Sequence, residues 1–187
     1  MALPTLADYA DYVVPIFDDV FICGQGCFFG DYLLTSGHVI GDSPKAFFYK
    51  GESFSLNPND AVSLQMISKE GGDEQQKDFA IFKFQGINSP LSLSTSFPTI
   101  GDTLECISFL PDDDLSNADG IKRFYCRGRV VQRLYDFFSC RMDFILSEGS
   151  SGSPLISGNT IWGILTGIGD DSEKDVLLFQ STSGLMK

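Results

Sequence analysis

Two stretches of this chain hold residue types that could do nucleophilic chemistry. One is Glu148-Gly149-Ser150-Ser151-Gly152-Ser153-Pro154, and the other surrounds His38, the only histidine. A serine hydroxyl is a weak nucleophile until a base takes its proton, and a tight turn must project it so that a carbonyl can approach. Backbone N–H groups must also point at the oxyanion that develops. Gly149 and Gly152 give the segment the backbone freedom such a turn requires. From average residue frequencies, G-x-S-G-x-P arises by chance in roughly 0.3% of chains this long. Taken alone, the segment also fits a Ser/Gly-rich hairpin. His38 tips the balance. A lone histidine is more often structural or simply exposed, but this one directly follows the apolar run Tyr32-Leu33-Leu34 and the tripeptide Thr35-Ser36-Gly37.

The elements that must position these residues read as short strands. Helical periodicity is confined to Leu6–Phe17, where one or two amphipathic turns would end near Pro15. Beyond it, Gly, Pro, Asn and Asp turns separate Val20–Cys23, Gly26–Phe29, Tyr32–Ser36, Ala46–Tyr49, Ser53–Leu56, Ala61–Ile67 and Phe79–Phe84. A Ser- and Pro-rich connector follows at Asn88–Asp102. Strand signals resume at Thr103–Leu110, Ile121–Leu134, Phe137–Leu146, Ser153–Ile156, Thr160–Ile168 and Val176–Gln180. Two sets of strands around a linker suggest an all-β chain of two antiparallel barrels or sandwiches.

Four segments in order resemble the trypsin-like (chymotrypsin-like) serine proteases. Gly26 to Val39 resembles the segment around their catalytic histidine. Asp78-Phe79-Ala80-Ile81-Phe82-Lys83 is similar to the strand that begins with their catalytic aspartate. Gly149 to Pro154 is similar to their nucleophile loop, and Trp162-Gly163-Ile164-Leu165-Thr166-Gly167 resembles the strand lining their substrate cleft. The order His, Asp, Ser is the chymotrypsin order, unlike that of subtilisins or α/β-hydrolases. The gaps of 40 and 73 residues leave room for His38 and Asp78 in a first barrel and Ser151 in a second. The resemblance implies two antiparallel Greek-key β-barrels with the active-site cleft between them, residues 1–92 forming one and 93–187 the other. It implies Ser151 as nucleophile, His38 as base and Asp78 as orienting acid, with the Gly149 and Ser151 N–H groups as oxyanion hole. Asp60 and Asp73 lie nearby, but Asp78 alone opens an alternating strand. No cofactor or metal enters such a mechanism.

Departures from the family pattern narrow the expectation. Ser150 stands where secreted members carry an Asp that pairs with a new N-terminus, Val39 where they carry a disulfide cysteine, and Ser153 where the loop has a second glycine. These features resemble compact intracellular or virus-encoded proteases, which often process polyproteins, and leave a bacterial or phage housekeeping protease as the alternative. The base of the primary pocket would be Ile145, with Thr166 and Ile168 on its wall. An apolar base disfavours Arg or Lys, whose charge would be buried unpaired. Glutamine-specific viral relatives place a histidine in this pocket, where Leu165 stands here. The expected preference is an uncharged, apolar residue before the scissile bond.

Composition bounds the remaining possibilities. The 187 residues include 43% hydrophobic ones and carry a net charge of −12, which disfavours general binding to nucleic acid. A local exception is a row of Arg123, Arg127, Arg129 and Arg133, which share a face on a regular strand. It reads as an RNA- or acidic-partner surface, or as a solvated face balancing acidic surface elsewhere. Five cysteines without a CxxC pair, and one histidine, offer no zinc cluster. They read as reduced thiols of a reducing compartment. The acidic stretches Asp112–Asp114 and Asp170–Asp175 lack EF-hand spacing. No apolar run spans a bilayer, and the first twenty residues do not read as a signal peptide. An intracellular, cytoplasmic protein is therefore expected, in the host cytoplasm for a viral source, with a peptide or polyprotein substrate. Two other functions stay open: an inactive protease-fold binding module, and a protease with an accessory RNA-binding face.

Overall fold

The computed structural model describes residues 6–19, 21–66, 77–111, 121–144, 149–168 and 175–186. After a 3-10 helix at Leu6–Tyr12, seven strands form a first sheet: β1 (Val13–Asp18), β2 (Phe21–Phe29), β3 (Tyr32–Thr35), β4 (Lys45–Tyr49), β5 (Glu52–Leu56), β6 (Ser63–Gln65) and β7 (Phe79–Lys83). Their order is β5-β4-β1-β2-β3-β7-β6, an open half-barrel. The second sheet holds β8 (Ser92–Leu93), β9 (Thr103–Pro111), β10 (Ile121–Leu134), β11 (Phe137–Met142), β12 (Pro154–Ser157), β13 (Thr160–Ile168) and β14 (Val176–Ser181). Here β12 pairs with both β9 and β13, so six strands close into a barrel, and β8 adds in parallel to β13. The chain runs through β9, β10 and β11, crosses to β12 beyond β9, and returns with β14 beside β11, a Greek key.

The near-continuous apolar runs of β2, β3 and β7 have a physical reason. Their side chains alternate between two apolar compartments, so both faces are buried. Phe28, Leu33, Ala80 and Phe82 enter the core of the first sheet with Phe47 and Leu56. Cys27, Phe29, Leu34, Phe79 and Ile81 face the other way, against Ile107, Phe109, Ile156, Ile161 and Ile164 of the second sheet. A third cluster, with Phe138, Phe179 and Leu155, fills the closed barrel. The two sheets are thus welded along the strands that carry the candidate site.

Three local expectations give way. Gly24 and Gln25, read as a break between two strands, lie inside one strand, β2. A Cβ on Gly24 would meet the Val39 side chain at 2.5 Å and the Ser151 carbonyl oxygen at 2.9 Å, so this glycine marks close approach rather than a turn. Pro15 ends no helix; it sits in β1 opposite Gln25, at a position that β4 does not pair. A short helix, α1 (Gly37–Ile40), follows β3 where no helix was expected. Among the described residues, no helix is long and apolar enough to cross a membrane.

Candidate active site

His38 is presented by α1, directly after β3 (Tyr32–Thr35) ends. Buried Lys45 caps the far end of that turn, donating to the Ile40 and Ser43 carbonyls at 3.0 and 2.9 Å. Asp78, which precedes β7, is 1% exposed and grips His38 twice. Its Oδ1 accepts the His38 main-chain N–H at 2.9 Å, and its Oδ2 lies 2.7 Å from Nδ1. The first bond fixes the backbone and the second fixes the ring. A carboxylate only accepts, so the network assigns the proton to Nδ1 and leaves Nε2 with its lone pair. The His38 pKa is raised above its ordinary value, first by the hydrogen bond to Asp78 and then by that residue's charge, against burial, which lowers it. Asp78 is itself anchored from the second sheet, its N–H donating to Gln180 Oε1 at 2.8 Å. Asp60 is exposed in a short 3-10 helix, and Asp73 lies outside the described residues.

Ser151 occupies a turn between the described end of β11 and β12. The Ser153 N–H closes it onto the Ser150 carbonyl at 3.0 Å. Gly152 takes φ +91 at the third position, as a type II turn demands. A side chain there would also drive into the Gln25 carbonyl oxygen. Ser151 is half-buried, whereas Ser150 is fully buried with its hydroxyl unpartnered. Among the described residues, no acceptor takes the N–H of Gly149 or of Ser151.

One carbonyl ties the two arms together. Leu165 O in β13 accepts the Ser36 hydroxyl, two residues before His38, at 2.7 Å. It also accepts the N–H of Gly152, the residue after Ser151, at 2.7 Å. On the opposite side, Val39 and the Ser151 carbonyl both close over Gly24. The imidazole and the hydroxyl therefore come from neighbouring backbone, although no hydrogen bond between Ser151 and His38 is formed among the described residues. Such bonds are often long in unliganded sites and tighten with substrate.

The pocket residues are only partly placed. Ile145 lies outside the described residues. Thr166 is half-buried in β13 with an unpartnered hydroxyl, and Ile168 ends that strand. The arginine row is shorter than parity predicts. Arg123, Arg127 and Arg129 are exposed on one face, but a bulge between Val130 and Gln132 shifts the register, setting Arg133 opposite the core residue Phe138. Arg133 instead stacks on Phe97, 3.5 Å from the ring centroid. All five cysteines are free, four of them buried. The described residues hold no group of three metal-ligating side chains. The acidic stretches fall outside the described residues except for Asp175, which pairs with Arg141.

Sequence reasoning did not single out Gln25, Gln180 or Ser36, whose polar groups brace the site. The only signal for Gln25 was an amide set between two glycines in an apolar run.

The fold is that of the trypsin-like serine proteases, two antiparallel barrel-like sheets, here one half-barrel and one closed barrel. No protein-family model matches the sequence, and no curated protein does. Among solved structures, kallikrein-related peptidase 10 is 16% identical, aligns over 98% of this chain and 95% of its own, and has a TM-score of 0.66. The tobacco vein mottling virus protease is 18% identical, with coverage of 96% and 81% and a TM-score of 0.63. An inactivated protease paralogue of the scabies mite is 11% identical, with coverage of 93% and 88% and a TM-score of 0.67. The same fold therefore occurs in peptidases and in an inactivated paralogue, and activity must be argued from the site.

Proposed function

We propose that this chain is a serine endopeptidase acting through an acyl-enzyme, with 1–92 and 93–187 as its two barrel units. The observation that carries the reading is the double grip of Asp78 on His38, joined through Leu165 O to the turn of Ser151. Ser151 Oγ attacks the scissile carbonyl while His38 Nε2 takes its proton. The tetrahedral oxyanion is met by the N–H groups of Gly149 and Ser151. Collapse expels the amine, which receives the proton back from His38, and water then repeats the sequence to release the acid. Asp78 holds the tautomer and stabilises the imidazolium.

Ile145 at the base of the primary pocket, with Thr166 and Ile168 along its wall, favours an uncharged apolar residue before the cut. The substrate is a peptide or polyprotein segment. Free thiols, four of the five buried, support a reducing, cytoplasmic setting, and the departures at Val39, Ser150 and Ser153 favour polyprotein processing. An RNA-binding face finds less support, because Arg133 leaves the row and Arg127 stands opposite Glu105. The competing reading, an inactive binding module, draws on the open contact between Ser151 and His38. A peptide-library cleavage assay on wild type and Ser151→Ala decides between them. Cuts after apolar residues by wild type alone are expected. No cutting favours the binding module, and a profile led by Arg, Lys or Gln contradicts the pocket.

A further inference from the structure

Gln25 is a fully buried amide to which the triad assigns no role. Its side chain leaves the first sheet and engages the second sheet and the Ser151 turn together. Oε1 accepts the Phe109 N–H at 3.2 Å, while Nε2 donates to the Phe109 carbonyl at 2.9 Å and to the Gly149 carbonyl at 2.7 Å. Both amide protons are used, and the orientation is fixed, since a flipped amide would set its oxygen against two carbonyl oxygens. The main chain of the same residue holds the other end of the turn, its N–H donating to the Ser151 carbonyl at 2.7 Å. Pairing with Phe109 alone would suffice to join the sheets. The third bond, to Gly149, serves the turn.

The consequence follows from peptide geometry. The Gly149 and Ser151 carbonyls are both drawn toward Gln25, and the Ser150 carbonyl is drawn toward the N–H and hydroxyl of Ser153. In a planar trans peptide the N–H points opposite its carbonyl. The Ser150–Ser151 peptide thus turns its N–H away from Ser153, where no described residue accepts it. We propose that Gln25 is a positioning residue for the oxyanion hole: its amide fixes the Gly149–Ser150 peptide, the link between the two peptides that carry the Gly149 and Ser151 N–H groups, and so holds those groups free for the developing oxyanion. The inference rests on the endopeptidase reading.

The test compares wild type with Gln25→Met, which keeps side-chain length but removes all three amide bonds, and Gln25→Asn, which keeps the amide on a shorter arm. Each is assayed on a quenched peptide, on a peptide aldehyde whose adduct carries the tetrahedral oxygen, and on the matching product peptide. Losing a whole oxyanion donor costs about 10²–10³ in kcat, so misaligned donors should cost about 10–100-fold. KM should stay within about threefold. Aldehyde affinity should fall with kcat while product affinity and the pH midpoint set by His38 hold. Wild-type kcat in a folded variant, or equal weakening of aldehyde and product, overturns the proposal. The asparagine variant serves where the methionine one does not fold. A wild-type chain that forms no aldehyde adduct overturns the endopeptidase reading itself, a distinguishable result.

Discussion

Asp78→Asn keeps the shape of the side chain and removes its charge. Asp78 now accepts twice, from the His38 main-chain N–H and from Nδ1. Asparagine has one acceptor and one donor group. If its oxygen stays on the main-chain N–H, its NH2 faces Nδ1, which must then accept. The ring proton moves to Nε2, the atom that should take the serine proton. If the amide flips, two donors meet at a buried position, at a cost of about 1–3 kcal/mol. The first arrangement therefore prevails, and the base carries the wrong tautomer. The expected loss is about 10⁴-fold in kcat, or about 5.4 kcal/mol of barrier. The pKa moves as well. Wild-type His38 titrates above the usual value of about 6.5 because Asp78 raises it, so kcat/KM should climb as pH rises through that raised midpoint. In the variant only burial remains, and the midpoint falls. Because His38 is the only histidine, a single imidazole signal reports the titration by NMR. An unchanged midpoint, or a kcat within about tenfold of wild type, would refute the tautomer argument.

Other outcomes follow from the same geometry. Gly152→Ala should lose about 2–4 kcal/mol in chemical denaturation, since φ +91 and the Gln25 carbonyl both exclude a side chain; an unchanged midpoint counts against the turn. Phe28→Ala, which removes a fully buried ring packed on Phe47 and Phe84, should cost about 3–5 kcal/mol by the same measurement. With a thiol reagent at mildly alkaline pH, half-buried Cys23 should react first. Burial pushes the Cys27 thiol up strongly and Cys140 up to about 12, so these two should react only after unfolding. Prompt native labelling of Cys140 would contradict the packing of the second barrel.

Much of the fold was legible because its strands are short and apolar between turn residues. Ile121–Leu134 and Thr160–Ile168 appear with the expected bounds. Misreadings arose where tertiary contact overrode local signals. Gly24 looked like part of a turn but lets Val39 and Ser151 pack against a continuous strand. The arginine parity failed at a bulge, which no local pattern announces. His38, Asp78 and Ser151 stood out through local patterns in a fixed order: a lone histidine after an apolar run, an aspartate opening a strand, and a serine spaced between glycines. Gln25 and Gln180 did not, since a glutamine shows its role only once strands far apart in sequence meet.

Intact-mass analysis after exposure to a fluorophosphonate tests most directly whether Ser151 is an activated nucleophile. One adduct per wild-type chain, mapped to Ser151, is predicted, with none on Ser151→Ala and strongly slowed labelling of His38→Ala. A wild-type chain that stays unmodified across the pH range, or that is modified at another residue, would contradict the account.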